Sequence, residues 1–405
     1  MSEEYYLQPP SSQLFYRVMA NMMSFIGAGD RETWGFRTNA KTQTFNRMLV
    51  FNFAPFVASS QIVYLYVNYS DLTFDILGIM FSIIPVTILG MVNIYSSKLK
   101  SYKSISKNFM HKIHLYNVYK ETKNEYVKKT LIYLERITRW TVYYLIFFFI
   151  LCWIGWMSIT AVNNYRNKEL VLNHTMRLQT CMYFWMPFDY SYNYRNWFIV
   201  HFLNVYAVLM GISAMMIFQS LNYIYIYNII GHIYVLKNYL RSDFTESLTD
   251  EEVRINLKKI IEYNTFILGI FKDVQDAFGL NVSANYLQNL LGNSVVLYQL
   301  MYGGKESMVI YVAMIMTYTG AAILMSFVLE EIRRQTLDLP DVVYNTPWEK
   351  MSVSNQKTVM LILQRSQIFM DFKAFGGMKA GVAPMMSILK TTFSYYVMLK
   401  SSIEN

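Results

Sequence analysis

Charged residues are scarce in this chain. They make up 16% of its 405 residues, whereas a soluble domain averages about 25%. A disordered chain combines low hydrophobicity with high net charge, and the 54% hydrophobic content excludes that class. The chain has only two cysteines, so a disulfide-rich scaffold is also excluded.

Aromatic residues, by contrast, are abundant at 17%, with 34 Tyr and 27 Phe, and 27 Met accompany them. The formal net charge is +9, which in a soluble protein would suggest a nucleic-acid partner. The apolar fraction indicates membrane lipid instead, and we expect no nucleic-acid partner.

Seven stretches are candidates to cross a bilayer, which takes about 20 apolar residues in a helix. Five are strong and cover residues 47–70, 72–95, 140–162, 197–223 and 308–329. Two are weaker: 279–302 carries Asn281, Asn285, Gln288, Asn289 and Asn293, and 382–402 carries Lys390. For these two, a core helix of a large soluble protein is the alternative. The sequence therefore predicts an all-α membrane protein with seven transmembrane helices.

Basic residues predict the orientation of these helices. If the N-terminus is cytoplasmic, 29 of the 36 Lys and Arg residues lie inside and six outside. The positive-inside rule favours this arrangement, with the C-terminus extracellular. Residues 1–46 contain no apolar run of the kind a signal peptide needs, so we expect the chain to start in the cytoplasm or to insert by its first helix. A G-protein-coupled receptor has the opposite orientation.

Three cytoplasmic segments have helical patterns. Apolar residues from Ile105 to Tyr119 recur at helical spacing, which predicts extensions of the second and third helices. A solvated hairpin attracted to anionic lipid and a partner-binding surface are both open interpretations. The acids after Thr249 predict a helix start. Residues 348–378 predict an amphipathic helix ended by Gly376 and Gly377, so that the seventh element has two pieces. We expect His111 and His114 to be solvated and to bind no metal.

The predicted outer loop, residues 163–196, contains the sequon Asn173-His174-Thr175, which predicts glycosylation of Asn173. Cys181 lies in this loop and Cys152 in a predicted membrane helix. We therefore expect no disulfide.

The last helix carries a polar stripe. Ser387, Thr391, Ser394, Met398 and Ser401 are three or four residues apart and share one face. A polar stripe in a membrane helix must face protein or water. Several copies around an axis could line a pore, with Met398 as an apolar constriction that gates by dewetting. Ordinary helix packing is the alternative.

Three motifs together resemble the insect odorant receptors. They are WMPFD at residues 185–189, the run from EIRR at 331–334 through VYN at 343–345 to Trp348, and LKTTFSYYVML at 389–399. The last motif is the most specific. The chain looks like an odorant-specific subunit rather than the co-receptor of that family.

This resemblance implies an odorant-gated, non-selective cation channel in the plasma membrane of olfactory sensory neurons. Four subunits would surround one pore as a heterotetramer with the odorant co-receptor. Residues 1–46 would form a cytoplasmic segment, 47–330 helices 1–6, 331–380 the inter-subunit anchor (including 352–375) and 381–405 the pore-lining last helix. The pore positions carried over are Ser394, Met398, Ser401 and Ser402. The small hydroxyls among them make a hydrophobic gate on this subunit less certain.

With this topology, a small volatile odorant would bind in the outer half of the helices. Aromatic and Met side chains suit a ligand held by burial, although each of the following could instead be a packing residue. The candidates are Phe74, Leu77, Gly78, Phe81, Trp153, Trp156, Met157, Thr160, His201, Asn204, Val205, Val208, Tyr311, Met314, Ile315 and Tyr318. Trp156 and Tyr318 are the strongest, and His201 or Asn204 could supply a polar contact.

Other classes remain alternatives. A gustatory-type or homomeric chemoreceptor channel shares the layout. A G-protein-coupled receptor and a transporter are weaker, because the motifs of the former and the inverted repeats of the latter are missing. Neither a phosphate loop nor a catalytic dyad is present in the sequence, so we expect neither an enzyme nor a cofactor.

Overall fold

A computed structural model describes residues 3–29, 31–37, 39–244, 248–302 and 305–404, and these residues are almost entirely helical. They contain no β-strand, and a single isolated bridge pairs Lys373 with Lys379. The helices are α1 (Glu3–Tyr6), α2 (Leu14–Phe25), α3 (Ala40–Asn68), α4 (Phe74–Ser96), α5 (Lys100–Asn108), α6 (Tyr116–Thr122), α7 (Glu125–Arg166), α8 (Lys168–Leu172), α9 (Tyr194–Ser242), α10 (Asp250–Tyr302), α11 (Lys305–Leu337), α12 (Leu339–Tyr344), α13 (Val353–Ser366) and α14 (Val382–Glu404).

Five of these helices are long and apolar enough to cross a membrane: α3, α4, α7, α9 and α11. They coincide with the five strong predicted stretches. The two weaker stretches are also helical, as the last part of α10 and as α14. Much of the surface of α7 faces outward: Phe147, Leu151 and Ile154 are each at least half exposed. Such apolar exposure suits a lipid-facing helix.

Three of the long helices, α7, α9 and α10, start at side-chain caps. The side chain of Asn124 accepts hydrogen bonds from two backbone N–H groups of α7, and Asn193 does the same for α9. At α10, the Thr249 hydroxyl accepts the N–H of Glu252, whose carboxylate accepts the N–H of Thr249 at 2.8 Å. This capping box confirms the predicted helix start and lowers the pKa of the Glu252 carboxyl.

The amides of α10 point into the bundle, which explains how this polar helix fits among apolar ones. Asn281 donates to Asn93 Oδ1 of α4 at 2.7 Å, and Asn293 donates to Thr319 Oγ1 of α11 at 2.9 Å. Polar groups at membrane depth are tolerated where other protein groups bind them.

The bundle has two ends and an apolar core near each. The loop end carries residues 167–193, which join α7 to α9, and the α13 end carries α1, α2, α5, α6, α12 and α13. The larger core lies toward the α13 end, where α9 is buried on all sides from Tyr223 to Ile226. The smaller core lies toward the loop end.

The connection between α4 and α7 differs from its prediction. The third helix extends below the span as predicted, since α7 begins at Glu125, but α4 ends at Ser96. Three turn hydrogen bonds over residues 94–99 then redirect the chain into α5. Ile105, Phe109 and Ile113 are buried in the larger core, so this connection is not a solvated hairpin.

His114 was also predicted to be solvated, and this prediction is wrong. It is fully buried, and its Nε2 lies 2.9 Å from Glu135 Oε1 of α7. Its Nδ1 accepts the backbone N–H of Tyr116, so the proton of the neutral ring is on Nε2. The Tyr16 hydroxyl donates to the same carboxylate at 2.6 Å, and Arg139 Nη2 donates to it at 3.0 Å and also to Gln13. This buried cluster joins the N-terminal helices to α7.

The predicted helix over 348–378 is shorter than expected. A 3₁₀ turn forms at Trp348–Lys350, and α13 follows it from Val353 to Ser366. The chain is then extended on both sides of the Lys373–Lys379 bridge, and Gly376 and Gly377, both with positive φ, form its turn. The glycines therefore close a turn rather than end a helix. The prediction of two pieces in the seventh element is confirmed.

Candidate ligand-binding site

An apolar cavity of about 100 Å³ lies inside the bundle, between α3, α4, α7, α9 and α11. We call it the main cavity. One water molecule takes about 10–15 Å³ when cavity volume is measured in this way, so the main cavity has room for a small organic molecule. It is lined by Val50, Phe53, Ala54, Val57, Ile83, Val86, Thr87, Gly90, Met91, Ile94, Phe149, Cys152, Trp156, Met182, Ala207, Val208, Met210, Gly211, Ile212, Met215, Ala313, Met314, Thr317 and Tyr318.

Few polar groups reach the main cavity. The hydroxyls of Thr87 and Thr317 donate to carbonyls one turn back on their own helices, at 3.1 and 2.7 Å. Cys152 Sγ lies 3.2 Å from Thr317 Oγ1. Within the described part of the chain, the Trp156 indole N–H and the Tyr318 hydroxyl have no hydrogen-bond partner. The main cavity therefore binds chiefly through apolar contact, with one or two directed polar groups.

Four of the predicted ligand residues line the main cavity: Trp156, Val208, Met314 and Tyr318. Several others support the same core without reaching the cavity. Met157 and Tyr311 are buried in the smaller core, and the residues that pack against it are Leu77, Trp153, Val205 and Ile315. Phe74 and Phe81 are exposed on α4, at 43% and 45%. At Gly78, the side chain of Gln299 occupies the place of a Cβ.

The two predicted polar contacts differ in their surroundings. His201 stacks on Trp197 at 4.6 Å, and its Nδ1 is buried without a hydrogen-bond partner among the described residues. The Asn204 amide oxygen accepts the backbone N–H of Met182 at 2.9 Å. Asn204 thereby holds the connection at the loop end against α9.

That connection contributes a wall that sequence reasoning missed. Met182 lines the main cavity although it lies outside every helix. The backbone of Gln179 exchanges two hydrogen bonds with the Asn164 amide, each of 2.8 Å. Trp185 N and O both bond to Ser60 of α3, at 3.1 and 3.0 Å. The WMPFD motif at residues 185–189 follows this segment directly and was the sequence feature that could have indicated it.

A second, smaller cavity of about 20 Å³ adjoins the main cavity toward the loop end. Its lining includes Ile83, Trp156 and Met314, which also line the main cavity. The rest of its lining is Ile79, Thr160, Gln179, Thr180 and Cys181. Both cysteines are free, and burial raises the pKa of the Cys181 thiol to about 12.

On α14 the predicted polar stripe lies on the outside of the subunit. Ser387, Thr391, Ser394, Met398 and Ser401 are exposed, whereas Met385 and Thr392 are buried toward the bundle. The side chain of Ser402 lies outside the described residues. The stripe is available to face a neighbouring subunit or a pore.

The start of α14 is tied to two long helices. The backbone N–H of Gly381 donates to the Tyr286 hydroxyl of α10 at 3.2 Å, and that hydroxyl lies 2.8 Å from Ser326 Oγ of α11. The N–H of Val382 donates to Glu330 Oε2 at 3.4 Å. Movement of α10 or α11 therefore acts directly on α14.

The predicted glycosylation site is accessible. Asn173 follows α8 and is exposed, as are His174 and Thr175. Modification of Asn173 stays a prediction.

Long apolar helices around an internal apolar cavity define a multi-pass membrane protein of receptor type. A family model described as 7tm Odorant receptor matches residues 78–393, well over half of the chain. The chain belongs to this family. The family match confirms the resemblance to insect odorant receptors and the prediction of a receptor rather than an enzyme.

Two Drosophila melanogaster proteins are similar in sequence. Putative odorant receptor 85d is 20% identical over 273 residues, which are 66% of this chain and 60% of that protein. Odorant receptor 30a is 22% identical over 223 residues, 53% of this chain and 58% of that protein. The chain thus spans about three fifths of the length of these relatives.

The fold is similar to that of the insect olfactory receptor OR5 from Machilis hrabei. The TM-score is 0.72 at 14% identity, over 95% of this chain and 97% of that chain. The structure of the same receptor in complex with eugenol matches with the same TM-score at 16% identity. This match confirms the predicted all-α membrane fold with seven transmembrane helices.

Proposed function

We propose that this chain is the odorant-specific subunit of a ligand-gated, non-selective cation channel, and that a small volatile compound binds in the main cavity. The observation that carries this proposal is an apolar cavity of about 100 Å³ lined by five helices in a chain of the odorant receptor family. The OR5 complex with eugenol, a small aromatic compound, gives support from a protein of the same fold.

The ligand is held mainly by burial of apolar surface. Each apolar Å² removed from water contributes roughly 25 cal/mol, so shape and size decide affinity more than directed bonds do. Trp156 and Tyr318 supply flat aromatic surface, and Met314 supplies a flexible side chain that adapts to shape. Behind these walls pack six other candidates: Leu77, Trp153, Met157, Val205, Tyr311 and Ile315.

Gating follows from the links around α14. A ligand opens the channel only if it binds the open state better than the closed one. Filling the main cavity shifts α11, which contributes Met314, Thr317 and Tyr318 to its lining. Through Ser326 and Glu330 the same helix contacts Tyr286 and the start of α14. The pore is lined by Ser394, Met398, Ser401 and Ser402.

The proposed assembly is a heterotetramer with the odorant co-receptor, in the plasma membrane of olfactory sensory neurons. The N-terminus and the α13 end are cytoplasmic, and the loop end is extracellular, as the basic residues favour. The exposed polar stripe of α14 supports a subunit that is completed by neighbours, because such a stripe is unfavourable against lipid. Residues 331–380 contribute to the contacts between subunits.

Whole-cell current tests this proposal. Cells would express the chain with and without an insect odorant co-receptor, during pulses of a volatile panel that includes eugenol, with G-protein signalling blocked. A fast cation current that needs both chains supports the odorant-specific subunit. A current from this chain alone indicates a homomeric channel. Surface expression without current in either setting contradicts the channel function.

A further inference from the structure

We propose that the small cavity is a polar subsite in which the Thr180 hydroxyl binds the single oxygen-bearing group of the ligand. The chain would then select compact apolar volatiles that end in one alcohol, aldehyde or ketone group. This inference rests on the proposed function and specifies its ligand class.

The sizes of the two cavities suit such a molecule. The small cavity holds about 20 Å³ against about 100 Å³ for the main one. Since one water needs about 10–15 Å³, the small cavity accepts a single hydroxyl or carbonyl group and no ring. Ile83, Trp156 and Met314 line both cavities, so one molecule can extend from the main cavity into the small one.

Of the two hydroxyls that line the small cavity, that of Thr180 lacks a partner among the described residues. It is 2% exposed, and its Oγ1 is buried without a hydrogen bond. The neighbouring polar groups are already used. Thr160 Oγ1 donates to the Trp156 carbonyl at 2.9 Å, and Cys181 Sγ lies 3.0 Å from Thr160 Oγ1. The amide oxygen of the partly exposed Gln179 accepts from Asn163.

The Thr180 hydroxyl is also held in place. On one side, the Gln179 backbone is bonded twice to Asn164 of α7. Two residues further on, the Met182 N–H is bonded to Asn204 of α9. A segment fixed on both sides loses little freedom when a ligand binds, which favours a directed hydrogen bond.

A threonine hydroxyl can donate as well as accept. It can therefore donate to a carbonyl oxygen or accept from an alcohol. A buried hydroxyl that gains its partner from the ligand improves affinity by roughly tenfold over a ligand without that group. Hydrocarbons of the same length would still fill the main cavity.

The test compares alkanes, primary alcohols and methyl ketones of one chain length. Binding to the purified full chain is measured by ligand-induced thermal shift, and current is measured in cells with the co-receptor. We expect the wild type to prefer the oxygenated compounds by roughly tenfold. Thr180→Val removes the hydroxyl at constant shape and should abolish that preference while alkane binding is unchanged.

Two further variants complete the test. Thr180→Ser keeps the hydroxyl and should retain the preference, which also covers the case in which Thr180→Val does not fold. Thr138→Val is the matched control, because Thr138 is buried on α7 outside the lining of both cavities and its hydroxyl is bonded to Leu134 O. A wild type without the preference, or a preference that survives Thr180→Val, overturns the subsite but leaves the channel function standing. Failure of every compound in both assays contradicts the proposed function itself.

Discussion

Gly90 of α4 points toward the Cα of Gly211 of α9 at the wall of the main cavity. A Cβ added at Gly90 would lie 3.8 Å from the Gly211 Cα, whereas a Cβ at Gly211 would meet no atom within 4 Å. Both residues line the cavity. The open space beside Gly211 is therefore part of the volume that a ligand would occupy.

A larger side chain at Gly211 should fill that volume. We expect Gly211→Leu to weaken ligand binding by at least about tenfold, because the new side chain takes the place of apolar ligand surface. The folded chain should be as stable as the wild type or more so, since Gly is unfavourable inside a helix by roughly 0.5–1 kcal/mol. Ligand-induced thermal shift and the ligand-free melting temperature measure both effects. Gly155→Leu, on α7 and away from the cavity lining, is the control and should leave binding unchanged.

Truncation of Trp156 should enlarge the main cavity and, like the substitution at Gly211, weaken ligand binding. Trp156→Ala removes an aromatic wall of the cavity, so the concentration–response curve should shift to higher ligand concentration by roughly tenfold or more. Surface expression should be unchanged. Trp140→Ala, on the same helix but 73% exposed, is the matched control. An unchanged curve for Trp156→Ala would remove this residue from the binding site.

The hydroxyl of Tyr286 should matter for opening rather than binding. Tyr286→Phe leaves the Gly381 N–H without its acceptor, which costs about 1–3 kcal/mol. Because this bond ties α14 to α10 and α11, we expect a lower maximal current with an unchanged midpoint of ligand binding. Tyr298→Phe serves as control, since the Tyr298 hydroxyl makes no hydrogen bond in the described part of the chain. Equal effects of the two variants on current would argue against the link.

Thiol chemistry tests the position of the last helix. Cysteine in place of Met398 should make the current sensitive to thiol reagents applied from outside, because this position is exposed and on the polar stripe. Phe393→Cys, which is 60% exposed but off the stripe, should be insensitive. The native Cys181 does not interfere, because its thiol is buried and its pKa is raised to about 12, so the reactive thiolate is scarce. Insensitivity at position 398 would place Met398 outside the pore.

The buried cluster around Glu135 should be essential for stability. Glu135→Gln leaves Arg139 buried at 2% exposure without its countercharge, and breaking a buried pair costs roughly 3–5 kcal/mol. We expect a clear drop in melting temperature. Glu125→Gln breaks the exposed pair with Lys128 on the same helix and should cost at most about 1 kcal/mol. Comparable melting temperatures for the two variants would show that the cluster contributes little.

Hydrophobic runs predicted the membrane helices well because crossing a bilayer demands length and low charge. Hydrophobicity made the last part of α10 a weak candidate for a membrane helix, because the hydrophobicity of a run is averaged over all faces of the helix. Asn281 and Asn293 are accommodated by partners on α4 and α11, which only the packing of three helices reveals.

Helix rotation limited the prediction of residues that line the main cavity. Phe74 and Phe81 lie on α4, which lines the cavity, but on its outer face, because one sequence does not fix helix rotation. Met182 was missed since loop residues have no periodic pattern, and its place depends on the bond to Asn204. The burial of His114 was missed for a related reason: its partner Glu135 is on another helix, 21 residues later in the chain.

Electron cryo-microscopy of the assembled channel with its most potent agonist is the most direct test of ligand binding in the main cavity. We expect ligand density in the main cavity, in contact with Trp156, Met314 and Tyr318. Ligand density at a subunit interface or on the lipid-facing surface, with this cavity unchanged and empty, would contradict it.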